Sequence, residues 1–367
     1  MNIAIDASRT TRRQRTGTEN YALQLLRHLA ALENLHHYTL YFRDEPPRDL
    51  FPSHPNWTQR VIPWRRMWTH LRFAEELWRT RPDVTFVPAH TLPRHFPGKA
   101  VVTIHDLGYL HFPDAHPLKE RRYLDWSTAF SARRATLVLA DSQATQADLV
   151  KHYQIPAEKI RVVYPGVDDS LRPVTDPQQL AHVRAKYGLN ERYLFFLGTL
   201  QPRKNIERLV KAYARWWLRS NTTDVQLVLS GNAGWLYQEA WTANIEGVHL
   251  TGYVADEDVA ALYSGAIALV FPSLYEGFGF PVLEAMRCGT PVICSNTSSL
   301  PELVGDAALL VDPTSTDDIA TAIGRLVKDD ALRQDLITKG YQQAAQFTWQ
   351  RTAEQTLAVL EEALALS

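Results

Sequence analysis

The chain is poor in sulfur and has no long apolar run. Its 367 residues include two cysteines, Cys288 and Cys294, and three methionines. Two thiols six positions apart are too few for a disulfide framework and lack metal-ligand spacing, so buried reduced thiols in a reducing compartment are expected. No window approaches the run of about 20 apolar residues that spans a bilayer. The opening MNIAIDASRT has no basic region ahead of an apolar stretch and reads as an alternating strand rather than a secretion signal. Short-period repeats and low-complexity tracts are missing too. A cytoplasmic protein is the expectation.

Net charge is also nearly absent, at −1, but it is unevenly divided. Residues 1 to 175 carry 24 Lys and Arg against 18 Asp and Glu, leaving 15 against 22 for the rest. The first half is therefore +6 and the second −7. Either the first half meets an acidic partner or surface, or two domains drifted apart in surface composition. The 45% hydrophobic and 22% charged content suits a globular chain long enough for two domains.

Apolar runs alternate with helical patterns, the signature of parallel α/β architecture. Strands are expected at NIAIDA, YTLYF, VTFVPA, AVVTIHD, TLVLAD and IRVVY, then at RYLFFLG, VQLVLSG, VHLTGYV, ALVFPS, PVICS and ALLVDP. A helix over Asn20 to Leu32 places Ala22, Leu25, Leu26, Leu29 and Leu32 on one stripe. Ser142 reads as the N-cap of QATQADLVKHY. The Pro- and Asp-rich stretch Pro165 to Pro177 reads as a boundary between two α/β halves with a crevice between them. Ligands of such sheets sit beyond the carboxyl ends of strands, so the loops there matter most.

The first such loop is in YEGFGFPVLEAM, where Glu276 and Glu284 stand eight positions apart around Gly277, Gly279 and Pro281. The glycines let backbone N–H groups approach an anion at a helix N-terminus. The third glycine of a dinucleotide fingerprint is missing. Glu284 is placed in the first helical turn, where the helix dipole alone would account for it. In FLGTLQPRKNIERLV, Arg203 and Lys204 suit either the two phosphates of a nucleotide diphosphate or a solvated basic turn. His105 and Asp106 end a strand in VVTIHDLGYL, where the histidine either titrates or serves structurally. Gly17 opens a loop in RQRTGTENYALQLL, near Arg9, Arg12, Arg13 and Arg15. The mixture of Trp64, Trp68 and Trp78 with Arg65, Arg66 and Arg72 fits a membrane-surface patch or partly buried core tryptophans.

Together FLGTLQPRKNIERLVKAYA, LVLSGNAGW, the stretch from VHLTGYV to ALLVDP with its Glu-x7-Glu spacing, and FTWQRTAEQTL resemble the retaining glycosyltransferases of family 4, the group 1 family, with the GT-B fold. The likeness is continuous over roughly residues 190 to 350. It is looser in the first half, where IHDL and the glycine near the first helix carry it. It implies two Rossmann-like domains facing across a deep crevice. Residues 1–175 would form the acceptor-binding domain and 176–347 the nucleotide-sugar domain, with the last helix, 348–367, crossing back to the first.

The same resemblance implies roles for residues. Arg203 and Lys204 would hold the diphosphate, Glu284 the ribose hydroxyls, and Glu276 with Gly277, Phe278 and Gly279 the donor sugar. Gly198, Thr199 and Tyr253 complete the expected donor-binding set. His105 would touch the sugar from the facing domain, and Gly17, Thr18 and Arg15 would form an acceptor-side or phosphate loop. His105, Glu276, Arg203 and Lys204 are the expected catalytic residues.

The implied reaction is transfer of a sugar from a nucleotide donor with retention, by front-face attack in which the departing phosphate takes the acceptor proton. Two carboxyls acting as a retaining hydrolase would stand about 5 to 5.5 Å apart across the bond, which is not the role implied for these glutamates. Neither a metal nor another cofactor is expected, the cations replacing a metal, and the chain is read as having no Asp-x-Asp cluster that would argue otherwise. IHDLGYLHFPDAH with GNAGW resembles bacterial mannosyltransferases that use GDP-mannose, which makes mannose the expected sugar. A UDP sugar is the alternative donor, and a non-catalytic nucleotide-sugar-binding protein is the rival of another class. The expected acceptor is a saccharide or lipid-linked saccharide, with peripheral membrane contact at the inner face through the first domain and no nucleic-acid partner.

Overall fold

A computed structural model of the chain describes residues 1–11, 17–51, 54–115, 117–220, 222–234, 236–243 and 245–366. It divides into two units. The first comprises Met1–Leu110, Pro117–Gly166 and Thr348–Ser367, and the second His111–His116 and Val167–Phe347.

Seven strands form the sheet of the first unit: β1 Asn2–Asp6, β2 His37–Phe42, β3 Trp57–Val61, β4 Val84–Val87, β5 Lys99–Ile104, β6 Leu137–Ala140 and β7 Ile160–Val162. Their order is β3-β2-β1-β4-β5-β6-β7 and every pairing is parallel. Strands covered by helices on both faces read as unbroken apolar runs, as β4 and β6 do with every residue buried. β3 is the exception. Its sequence WTQRV lies at the sheet edge with a mostly accessible surface, so no apolar run announces it.

The second unit repeats the arrangement with β8 Arg192–Leu197, β9 Val225–Ser230, β10 Val248–Gly252, β11 Ala268–Phe271, β12 Val292–Ser295 and β13 Leu309–Val311. The order is β10-β9-β8-β11-β12-β13, again all parallel. Chain direction across the sheet reverses between β8 and β11. The loops leaving their carboxyl ends therefore diverge and leave a crevice, which positions whatever side chains they carry. The fully buried Tyr193, Phe195, Phe196 and Phe271 fill the core beneath, with the rings of Phe196 and Phe271 stacked at 5.7 Å.

The last helix, Trp349–Ala365, belongs to the first unit and packs chiefly on the helix Gly17–Ala31. Its buried residues Trp349, Thr352, Ala353, Thr356, Val359, Leu360 and Ala363 recur at helical spacing. They meet the predicted stripe of the first helix, whose Ala22, Leu25, Leu26 and Leu29 are all buried. Thr348 caps the helix by accepting from Arg351 N–H at 3.2 Å. Ser142 caps Gln143–Tyr153 in the same way, at 3.0 Å to Thr145 N–H.

The chain leaves the first unit just after Gly166, where the backbone presses on the start of this last helix. A Cβ on Gly166 would lie 2.1 Å from Trp349 N, a contact that backbone can relieve only by moving. Nearby, Thr352 donates its hydroxyl to the Tyr164 carbonyl at 2.8 Å. Gly166→Ala is expected to destabilise the protein by about 1–3 kcal/mol, the usual cost of overpacking. Urea unfolding monitored by tryptophan fluorescence would show it, and an unchanged midpoint would mean the two passages are not held this closely.

Candidate active site

The described site residues fall into two groups, one in each unit. In the second unit, the loops after β8 and β11 carry Arg203, Lys204 and Glu276. Lys204 donates from Nζ to Glu276 Oε1 at 2.7 Å, and Arg203 from Nη1 to Glu276 Oε2 at 2.9 Å. Arg203 also donates to the Tyr275 carbonyl at 2.6 Å, and the Lys204 ammonium lies 4.7 Å from the ring centre of Phe271. Lys204 and Glu276 are buried. Burial alone would raise the glutamate's pKa, but the charges of Arg203 and Lys204 overturn it and hold the carboxyl below its ordinary value. Each carboxylate oxygen thus accepts a charge-assisted bond, and the solvated basic turn is excluded for Lys204.

Several residues that the sequence did not single out fix these loops. Asn205 adopts the left-handed conformation at φ 62°, which asparagine tolerates better than most residues. From there its amide donates to the carbonyls of Pro272 at 2.9 Å and Pro313 at 2.7 Å, tying the loop after β8 to those after β11 and β13. Ser298 Oγ accepts from Glu276 N–H at 3.0 Å. Ser299 donates to the carbonyls of Glu276 at 3.0 Å and Phe278 at 2.6 Å. The serines lie in CSNTSSLPE, where nothing in their spacing marks them.

The helix after β11 runs Phe280–Arg287, which corrects the placement of Glu284. As the fifth residue it lies beyond the first turn, which holds no acidic residue, so the helix dipole does not account for it. Glu284 is half-buried and accepts from Tyr263 O–H at 2.9 Å. Desolvation pushes its carboxyl up to about 7, helped by the negative charges of Asp168 and Asp256 and opposed by the Tyr263 hydrogen bond.

Gly277, Phe278 and Gly279 are buried beside Glu276, and Gly279 has φ 125° with Leu300 Cδ2 only 2.7 Å from where its Cβ would stand. Gly198, at φ 151°, follows β8, and Thr199 beside it is exposed. The motif GNAGW has a packing role here. A Cβ on Gly231 would fall 2.1 Å from the Gly198 carbonyl oxygen, and one on Gly234 2.4 Å from Thr199 Cγ2, so only glycines let the two loops touch. Its Trp235 lies outside the described residues. Tyr253 is exposed and donates to Asp256 Oδ1 at 3.2 Å. Asp256-Glu257-Asp258 does have the Asp-x-Asp spacing that the sequence reading passed over. Asp258 accepts from Lys186 at 2.6 Å and Tyr187 at 2.7 Å, and Asp256 from Tyr253, so both are engaged by protein donors. Cys288 and Cys294 are free and buried, and burial pushes the Cys288 thiol up to about 12.

In the first unit, His105 follows β5 and is buried against Asp141, which follows β6. Nδ1 lies 2.7 Å from Asp141 Oδ2. The imidazole is edge-on to Tyr21 at 4.7 Å, and its main-chain N–H donates to His90 Nε2 at 3.2 Å. Burial would lower the His105 pKa, but Asp141, with Asp106 behind it, raises it. The carboxylate fixes the proton on Nδ1 and leaves Nε2 enclosed and without a protein partner among the described residues. Asp141 is a residue the sequence reading missed. It was legible only as the end of a strand. Gly17 stands as the first residue of its helix rather than in the preceding loop, followed by half-buried Thr18 and by Glu19, which pairs with Arg9 at 3.2 Å. Arg12, Arg13 and Arg15 lie outside the described residues.

Two family models match the chain: "Glycosyltransferase Family 4" over residues 15–171 and "Glycosyl transferases group 1" over residues 181–343. O-antigen chain mannosyltransferase B of Escherichia coli is 34% identical over 364 residues, covering 93% of this chain and 95% of that one. An MMP alpha-(1->4)-mannosyltransferase of Mycolicibacterium hassiacum is 33% identical over 242 residues, covering 64% of this chain and 56% of the other. Among solved structures, sucrose-phosphate synthase from Thermosynechococcus elongatus superposes with a TM-score of 0.77 at 23% identity over all of both chains.

Two outcomes follow from the electrostatics. Glu284 keeps its proton in the folded state between its ordinary pKa of 4.5 and about 7, so stability declines as pH rises through that window, by on the order of 2–3 kcal/mol. Glu284→Gln is expected to flatten urea-unfolding midpoints measured from pH 5 to 8, and parallel curves for the two proteins would refute the assignment. Replacing Asp141 by Asn is expected to lower the His105 pKa and weaken its preference for the Nδ1–H form. Histidine ¹⁵N shifts measured against pH would reveal both, and a titration identical to wild type would rule the pairing out.

Proposed function

The chain belongs to the group 1 glycosyltransferases of family 4 and has their GT-B architecture, and from that premise we propose that it moves mannose from GDP-mannose to a saccharide or lipid-linked saccharide, with retention at the anomeric carbon. The observation that carries the reading is the buried Arg203–Glu276–Lys204 cluster on the two loops that diverge at the β8/β11 reversal. Its two cations and one carboxylate leave one positive charge in a poorly hydrated place, which suits an incoming diphosphate. The mannosyltransferase names of a relative matched over nearly its full length and of one matched over about half of it support the choice of sugar.

In this reading Arg203 and Lys204 stabilise the charge that grows on the departing diphosphate, and no metal is required. Fixed charges in a water-poor site do this without reorganising as the bond breaks. Glu276, with the backbone of Gly277 to Gly279, holds the donor sugar. Glu284 and Tyr263 receive the ribose hydroxyls, and Gly198, Thr199 and Tyr253 line the nucleotide's approach. His105 Nε2 offers the first unit's hydrogen bond to a substrate oxygen, with Gly17 and Thr18 on the acceptor side. Glu276 is not a base here, because both its oxygens already accept from cations. The departing phosphate takes the acceptor proton on the same face. The enzyme works in the cytoplasm, at the inner face of the membrane where a lipid-linked acceptor is held.

Lys204→Ala and Glu276→Gln are each expected to lower transfer at least a hundredfold, on the scale of losing a transition-state donor, with far-UV circular dichroism unchanged. A thermal-shift panel of GDP, UDP and ADP separates the donors, since only a ligand of the native state raises the transition. GDP alone should raise it. A shift with UDP alone would replace GDP-mannose by a UDP sugar, and a GDP shift without turnover on any acceptor would leave a binding protein.

A further inference from the structure

One surface of the first unit has no part in sugar transfer as proposed. The chain emerges from β3 into Pro63 and exposes four consecutive residues, Trp64, Arg65, Arg66 and Met67. Trp64 is 51% accessible and Met67 58%. Met67 sits in the left-handed region at φ 54°, unfavourable for a residue with a side chain, and this reversal turns the tip outward. The next residue goes the other way. Trp68 is buried, stacked on Phe73 at 5.2 Å, and donates from its indole to the Ile62 carbonyl at 2.8 Å. The sequence left open whether these tryptophans belong to a surface or a core, and the structure divides them. Trp68 anchors the segment; Trp64 is held out on it, and Trp78 on the next helix is exposed as well.

The tip borders an open groove of about 1030 Å³ lined by Arg43, Asp44, Pro63, Trp64, Arg65 and Arg66. Arg43 donates to the Arg65 carbonyl at 3.1 Å, which brings a third guanidinium to the other two. On the segment that follows, Arg72 is paired with Glu75 at 2.9 Å and Arg79 with Glu76 at 2.6 Å. Arg43, Arg65 and Arg66 enter no ion pair among the described residues. Three guanidiniums against the one carboxylate of the groove, Asp44, beside an indole, a thioether and exposed Leu71, make a surface that is cationic and apolar at once.

We propose that the tip Trp64–Met67, with the Arg43 groove, docks this protein on an anionic lipid bilayer. The guanidiniums face lipid phosphates and the indole and thioether enter the headgroup boundary, where amphipathic aromatics are stable. Single-stranded nucleic acid would also suit arginine and tryptophan, but Met67 and Leu71 offer bases no stacking face and gain most from an acyl boundary. No helix among the described residues is long and apolar enough to cross a membrane. The inference rests on the proposed function only for the lipid-linked acceptor that the membrane would hold.

Flotation of the full chain with vesicles tests it. Vesicles of phosphatidylglycerol and phosphatidylethanolamine are expected to carry the protein at low salt, and vesicles of phosphatidylcholine alone are not. Arg65→Glu with Arg66→Glu should weaken binding at least about tenfold, since each basic residue near an anionic surface contributes on the order of 1 kcal/mol. Trp64→Ala with Met67→Ser should weaken it at unchanged charge and persist in 0.5 M salt, where the arginine term is screened. No binding to anionic vesicles, equal binding to neutral ones, or indifference to both double variants would overturn the proposal. So would binding of a single-stranded oligonucleotide that is lost in the same variants while vesicle binding is not. The GDP thermal shift reads the second unit, so it fails or survives independently of the flotation result.

Discussion

A carboxylate held between two cations at the reversal point of a parallel sheet is the interaction around which the second unit is organised. Glu276 is buried, and a buried carboxylate without partners would neutralise itself or oppose folding. It stays charged because the loop after β8 delivers a lysine and an arginine to its two oxygens. That delivery in turn needs Asn205 in its left-handed turn, the serines behind Glu276, and glycines small enough for the loops after β8 and β9 to touch. Removing one partner of such a cluster leaves the others uncompensated, commonly at several kcal/mol. On the proposed function, stability and ligand recognition are therefore bound together in the same few side chains.

The two glutamates of the Glu-x7-Glu motif have opposite electrostatics. Cations hold Glu276 in its charged form, while desolvation and neighbouring carboxylates push Glu284 toward its neutral form. A pair of carboxyls with pKa values driven apart is the usual mark of an acid and a base sharing one reaction. Here the hydrogen bonds exclude it. Glu276 has both oxygens committed to cations, and Glu284 is bound to Tyr263. On the proposed function the divergence serves recognition instead. A charged anchor positions the cations, and a carboxyl near its titration point can match hydroxyl groups of a ligand.

Much of this architecture could be read from the sequence because burial on both faces of a parallel sheet writes itself as apolar runs. Twelve of the thirteen strands among the described residues fall on an expected run, including β10, which is only partly buried. β3 was not, since an edge strand with an accessible surface needs no such run. The candidate site residues were legible where they sit in strand-end loops. Their partners escaped when contact is made across long separations, as with Asp141, 36 residues from His105, and Ser298, 22 from Glu276. Glu284 was found but misplaced, because Pro281 suggested a later helix start than Phe280. That small slip in register substituted a helix-dipole explanation for what is a desolvation effect.

The last helix explains how the first unit keeps its own candidate residue in place. His105 cannot be oriented by Asp141 alone, because a single hydrogen bond at Nδ1 leaves the ring free to rotate about it. Tyr21 closes that freedom by packing edge-on against the imidazole at 4.7 Å, and Tyr21 is itself backed by Trp349 at 5.7 Å. Trp349 opens the helix that returns to this unit, on the turn that Gly166 presses against. The order of dependence runs from the close backbone passage at Gly166, through two aromatic rings, to a buried histidine whose Nε2 has no protein partner among the described residues. A chain end that returns to the first sheet therefore does more than bury apolar surface: it completes the packing that aims His105.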